Sequence, residues 1–239
     1  MLQLCPNSRQ DCLFLDFDGT LVDFAPTPDA IKIDPALPDL LSRLAANWQG
    51  AVALITGRSI AAIDHFLQPW RPSMAGLHGL ERRNANGGLQ RIGQPAWIAS
   101  ARSQLQMHAE RCPGLLLEDK SLALTLHFRS APHWEPASRV LMQNLAAQLG
   151  DSAALMAGPK SLEIRPAGYD KAGAVSAFLD EIPFRGRRPI YIGDDSTDTK
   201  AMQTTLERGG QAIAVGTRIT APSSFRTLYE LRHWLTNLT

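Results

Sequence analysis

The sequence predicts an α/β protein, a parallel-sheet core interrupted by an inserted α+β domain. Three observations carry this. Short apolar runs that end in polar residues ("LFLDFD", "VALITGR", "RPIYIGDD") alternate with helical stretches, which is the pattern of βαβ units. In the middle of the chain the alternation gives way to helix-strand-strand, twice over. After Pro166 the first pattern resumes. The expected division is a core from residues 1–92 and 167–239 and an inserted domain from 93–166.

The elements follow in order. Cys12 to Asp16 reads as a short buried strand. Asp34 to Trp48 reads as a helix, with Leu37, Leu40, Leu41, Leu44 and Trp48 on one face and Asp34-Pro35 as its start. "GAVALIT", Gly50 to Thr56, is a second strand, and Arg58 to Phe66 a short helix. "SMAGLHG", Ser73 to Gly79, is a third strand. The insertion reads as a helix over Trp97 to Arg111, strands over Leu115 to Glu118 and Leu122 to His127, a helix over Pro132 to Leu149, and strands over Ala154 to Ala157 and Leu162 to Arg165. That order, αββαββ, predicts an antiparallel sheet covered by two helices. The core then continues with a helix over Lys171 to Asp180 and the strand of "RPIYIG". A helix over Thr199 to Glu207, a strand over Gln211 to Val215 and a closing helix over Ser223 to Leu235 complete it.

Composition excludes several classes. Lys and Arg number 24 against 23 Asp and Glu, a net charge of +1, and no long basic run occurs. Nucleic acid and anionic membranes are therefore not expected partners. "MLQLCPNSRQDC" lacks a basic stretch followed by a long apolar run, so no secretory signal is expected. The apolar runs are too short to span a bilayer. The 3 cysteines, Cys5, Cys12 and Cys112, form no CxxC. They suit a reduced cytoplasmic protein without disulfides. The expectation is a cytoplasmic monomer acting on a small molecule.

In an open parallel sheet, ligands bind beyond the carboxyl ends of the strands. The first strand here ends in Asp16 and Asp18, the second in Thr56, Gly57 and Arg58, and "YIGDDSTD" in Asp194, Asp195 and Asp198. Lys171 opens a helix between them. Residues i and i+2 of an extended segment face one side, which would point Asp16 and Asp18 at one spot. With Asp194 they make a set of hard oxygen ligands suited to Mg²⁺ beside a phosphate. A calcium loop is excluded, since counting from Asp16 the required Gly and Glu positions hold Leu21 and Thr27. A carboxylate attacks a phosphate only if the charge repulsion is cancelled. Mg²⁺, Lys171, the Thr56 hydroxyl and backbone N–H groups around Phe17 to Thr20 would do so. Asp16 is then the candidate nucleophile and Asp18 the candidate acid and base. Gly19 permits the turn that frees the backbone donors.

"DFDGT", "LITGR", the lone Lys171 and "YIGDDSTD", in this order, resemble the haloacid dehalogenase-type phosphohydrolases. The resemblance implies a Rossmann-like core with an inserted cap, an aspartyl-phosphate intermediate on Asp16, and Mg²⁺ as cofactor. It implies that Thr56 and Lys171 hold the phosphate. It assigns the metal to Asp16, the Asp18 carbonyl, Asp194 and Asp195, with Asp198 in support. "AGLHGLERR", "LEDKSLALTLHFRSAP" and "GPKSLEIRP" extend the resemblance over nearly the whole chain, to the trehalose-6-phosphate phosphatase subfamily. Residues equivalent to Glu118, Lys120 and Glu163 grip the disaccharide there. Gly57, Arg58, His78, Arg129 and Lys160 complete the expected substrate-binding set. The chain departs from the subfamily at Thr199, usually Glu, at Ala172, usually Gly, and at Pro159, which splits a Gly-Lys pair. The implied reaction is hydrolysis of trehalose 6-phosphate. Other sugar phosphates, such as sucrose 6-phosphate or a glucosyl- or mannosyl-phosphoglycerate, stay open, as does a non-catalytic sugar-phosphate-binding regulator.

Overall fold

The computed structural model describes residues 5–25, 30–158 and 160–239. They fall into two compact units, Met1–Arg91 with Asp170–Thr239, and Ile92–Tyr169. No helix among the described residues is long and apolar enough to cross a membrane.

The first unit is built on β1 (Asp11–Leu15), an apolar strand buried along its whole length. It lies between β2 (Val52–Ile55) and β10 (Arg188–Gly193), parallel to both. With β3 (Ser73–Gly76), β4 (Glu81–Arg83), β5 (Leu89–Arg91), β11 (Gln211–Val215) and β12 (Ser223–Phe225) the sheet has the order β12-β11-β10-β1-β2-β3-β4-β5. All neighbours are parallel except at the β3-β4-β5 edge. Strand alternation sends Leu13 and Leu15 to one face and Cys12 and Phe14 to the other. The first pair packs with α1 (Leu37–Asn47), α2 (Ile60–Phe66) and α7 (Leu228–Thr236). The second packs with α5 (Lys171–Leu179) and α6 (Thr199–Glu207). Phe14 stacks on Phe184 at 5.4 Å between ring centroids. The result is a three-layer α/β core of the expected class, burying both faces of a parallel sheet.

Several local expectations need correction. Helix α1 starts at Leu37, because the Asp34 carboxylate accepts from Ala36 N at 3.0 Å and closes a turn instead of capping the helix. Helix α2 starts at Ile60, where the Ser59 hydroxyl accepts from Ala62 N. Arg58 is thus left in the loop after β2. Strand β3 ends at Gly76, because Leu77 and His78 take φ of 50° and 56° in a 3₁₀ turn. Strands β4 and β5 were not anticipated. The closing helix is shorter than expected. Ser223–Phe225 adds a strand to the sheet, and Thr227 then caps α7 by accepting from Glu230 N.

The second unit holds α3 (Ile98–Arg111), β6 (Leu116–Asp119), β7 (Leu124–His127), α4 (Glu135–Leu149), β8 (Ala153–Gly158) and β9 (Ser161–Pro166). Its sheet, β6-β7-β9-β8, is antiparallel throughout. Leu124, Leu162 and Ile164 point at Ile98, Leu105, Met142 and Leu145 of the two helices. Alternation turns Glu118, Thr125, His127 and Glu163 to the opposite face.

Candidate active site

Because β1 runs between β2 and β10, the residues that follow these three strands meet at one edge of the sheet. They are Asp16, Thr56 and Asp194. Asp16 is fixed there by its own N–H, which donates to Ile192 O at 2.9 Å. Lys171 arrives from the first turn of α5, a helix capped by Asp170 accepting from Gly173 N. Lys171 is buried, not solvated. Its Nζ donates to Asp16 Oδ1 and to Asp198 Oδ1, each at 2.7 Å. Burial alone would disfavour the ammonium, but Asp16 and Asp198 more than offset it and hold the lysine well above its ordinary pKa.

Asp198 organises the cluster. Its Oδ1 also accepts from Tyr191 Oη at 2.6 Å, and its Oδ2 accepts from the backbone N–H of Asp194 and Asp195, both at 3.1 Å. This carboxylate folds back over Gly193, where a Cβ would stand 2.4 Å from Asp198 Cγ. Only glycine fits. Thr20 bridges the two remaining acids, donating toward Asp16 Oδ2 at 3.3 Å or Asp194 Oδ1 at 3.4 Å.

Among the described residues, Asp16, Asp194 and Asp198 each offer an oxygen within 4.8 Å of the others. A buried set of hard oxygens like this fits a divalent metal ion. Since both Asp198 oxygens are already occupied by donors, Asp16 and Asp194 have the open lone pairs. Burial, then the charge of Asp198, pushes Asp16 well above the ordinary carboxylate range against the pull of Lys171. Burial and the neighbouring Asp195 push Asp194 up to about 6. Two acids disfavoured as anions in one pocket are suited to a compensating cation.

Asp18 is held elsewhere. Both of its oxygens accept from Arg58, at 2.7 Å each, in a bidentate pair at the rim of the site. Asp195 accepts from the backbone N–H and hydroxyl of Thr197; although burial opposes it, the charge of Lys171 and then these bonds hold its carboxylate below the usual range. Thr56 is buried, and its Oγ1 accepts from Arg58 N at 3.1 Å, which leaves the hydroxyl proton available for donation. The ring of His78 lies directly on Gly57. Of the expected backbone donors, Gly19 N–H goes to Val22 O and Thr20 N–H to Phe17 O, inside the turn. That narrows the set to Phe17 and Asp18. Arg218 was not anticipated. Its guanidinium donates to Asp194 Oδ2 at 2.9 Å.

The second unit carries a polar cluster of its own. Glu118, Thr125 and Glu163 stand in one row across three strands. Lys120 Nζ donates to Glu163 Oε2 at 2.7 Å and lies 3.9 Å from Glu118 Oε2. The Thr125 hydroxyl also donates to Glu163 Oε2, and His127 Nε2 meets Glu118 Oε2, both at 2.8 Å. Although burial opposes it, the bond to His127 and the charge of Lys120 keep Glu118 below its ordinary pKa. Thr125 is an addition to the expected set, legible only as the polar residue that alternates with leucines in "LTLH". Arg129 and Lys160 are exposed in the turns after β7 and before β9, apart from this row. Pro159 lies outside the described residues.

A phosphatase of the haloalkanoate (HAD) superfamily from Bacteroides thetaiotaomicron superposes with a TM-score of 0.65 at 18% identity, over 99% of this chain and 98% of that one. The protein therefore has the HAD fold. A crystal structure described as a trehalose-6-phosphate phosphatase related protein superposes with a TM-score of 0.82 at 27% identity, over 95% and 96% of the two chains. The model of the trehalose-phosphatase family matches residues 14–226, and the chain belongs to that family. Its relatives include the trehalose-6-phosphate phosphatase of Escherichia coli strain K12, 39% identical over 88% of this chain and 79% of that protein. A probable trehalose-phosphate phosphatase of Sinorhizobium fredii is 38% identical over 90% and 82%.

Proposed function

We propose that this protein is a Mg²⁺-dependent phosphatase that hydrolyses trehalose 6-phosphate to trehalose and phosphate. The observation that carries the reading is the buried ammonium of Lys171, held 2.7 Å from the strand-end carboxylate of Asp16 beside Asp194. The names borne by the family relatives support the substrate. Asp16 and Asp194 would hold the Mg²⁺, which when bound supplies positive charge against the acids and the phosphoryl oxygens.

The chain's own residues account for the rest. Asp16 attacks phosphorus, and the bond from phosphorus to the sugar oxygen breaks. Asp18, turned from Arg58 and carrying a proton, gives that proton to the oxygen as trehalose leaves. Asp18 then takes a proton from water, the water oxygen attacks the aspartyl-phosphate, and Asp16 is freed with release of phosphate. Lys171 and the Thr56 hydroxyl hold the phosphoryl oxygens throughout. Glu118, Lys120 and Glu163 bind the sugar hydroxyls, a polar row that rejects substrates lacking them. The free thiols of Cys5, Cys12 and Cys112 suit a reducing cytoplasm.

The variant Glu163→Ala tests the division of labour. We expect it to lower turnover of trehalose 6-phosphate far more than that of 4-nitrophenyl phosphate, which has no sugar to bind. Equal losses on both substrates would mean that Glu163 only supports the fold.

A further inference from the structure

Arg218 is a partly exposed cation beside the buried Asp16, Asp194 and Asp198 cluster. It stands in the loop between β11 and β12, after Gly216. Its guanidinium donates to Asp194 Oδ2 at 2.9 Å. The same group lies over the ring of Phe24 at 4.7 Å, a favourable cation–π distance. Asp194 is buried, whereas the Arg218 side chain is 37% exposed and Phe24 is 53% exposed. The arginine can therefore swing outward without uncovering the core. Gly19 makes room for this arrangement, since a Cβ there would stand 2.3 Å from Asp194 Oδ2 and 2.5 Å from the Phe24 ring.

We propose that Arg218 is a built-in counter-ion for the cation site. It offsets the charge of Asp194, and a divalent cation held by Asp16 and Asp194 would compete with it for that carboxylate. The proposal rests on the reading that Asp16 and Asp194 hold the ion. Arg218 holds Asp194 Oδ2, while Asp194 Oδ1 is turned to the Thr20 hydroxyl that also reaches Asp16. A guanidinium charge at that distance also repels an incoming dication. Its removal should leave the acids uncompensated in the metal-free protein and tighten metal binding. Lys171 differs in kind. It is buried between Asp16 and Asp198 and has no outward path.

The test is calorimetric titration of Mg²⁺ into the chelator-treated, full-length protein at low ionic strength, for the parent, Arg218→Ala and Arg218→Gln. Glutamine keeps most of the side-chain bulk on Phe24 and covers the case in which alanine fails to fold. The expected result is Mg²⁺ binding about tenfold tighter in either variant, the order of one partly exposed charge-assisted pair. A second readout is thermal. Metal-free Arg218→Ala should melt below the parent, and the gap should close in saturating Mg²⁺. Unchanged or weaker Mg²⁺ binding in a folded variant, with the parent still binding, would overturn the role of Arg218 alone. A parent that binds no Mg²⁺ would overturn the cation reading and the proposal with it.

Discussion

Asp198→Asn is the most informative single change in the core. The Asp198 carboxylate is fully buried and accepts from four donors, Lys171 Nζ, Tyr191 Oη and the N–H groups of Asp194 and Asp195. Asparagine has the same shape, but its amide nitrogen must face two of these donors. Each buried donor left unsatisfied costs about 1–3 kcal/mol, so two cost about 2–6 kcal/mol. The change also relieves the repulsion that Asp198 exerts on Asp16 and Asp194. We therefore expect a net loss of about 2–4 kcal/mol, within the range for breaking a buried charged network. Lys171 would keep only Asp16 as a holder, and a drift of ~1 Å in such an anchor costs turnover on the order of 100-fold. Urea unfolding followed by circular dichroism, paired with phosphate release in saturating Mg²⁺, measures both effects. Stability within about 1 kcal/mol of the parent, with unimpaired turnover, would refute the idea that Asp198 organises the site.

Three further outcomes are expected. Asp16→Asn should abolish phosphate release yet melt no lower than the parent in the absence of metal, because burial and Asp198 already disfavour the Asp16 anion. Turnover above a few per cent would remove Asp16 from the nucleophile's role. Gly193→Ala drives a methyl into Asp198. It should cost about 1–3 kcal/mol by overpacking and lose turnover, and denaturation with an activity assay would check both. The third concerns pH. In the metal-free fold Asp194 is raised from 3.8 to about 6, so its contribution to stability is full below 3.8 and is lost as pH rises through about 6. Metal needs the anion. The gain in melting temperature from Mg²⁺ should therefore be small at about pH 5 and large at about pH 7.5. A gain independent of pH would mean that Asp194 is not a ligand.

The core strands were legible because two-sided burial writes a continuous apolar run into the sequence, as in "CLFL" and "VALI". The edge strands were not. "ERR" in β4 carries charges whose roles depend on distant residues. Glu81 accepts from Ile60 N, and Arg83 forms a bidentate pair with Asp64. β12 is a three-residue strand of "SSF", with no alternation long enough to detect. The site divides in the same way. The strand-end acids announce themselves locally, through spacing and a glycine turn. The ties that place them are legible only in part: Lys171, 155 residues from Asp16, is found through its place in the order of strand ends, whereas Arg218, 24 residues from Asp194, carries no local signal. Tyr191 shows the same limit. It reads as one more apolar strand residue, and only the fold brings its hydroxyl onto Asp198.

The central claim is the substrate, and phosphate release tests it most directly. With Mg²⁺ present, trehalose 6-phosphate, sucrose 6-phosphate and glucose 6-phosphate would be compared side by side. A strong preference for trehalose 6-phosphate is expected, because the Glu118, Lys120 and Glu163 row would bind a disaccharide that the other two do not match. Turnover of either alternative with none of trehalose 6-phosphate would contradict the account, leaving the phosphatase site in place and the assigned sugar wrong.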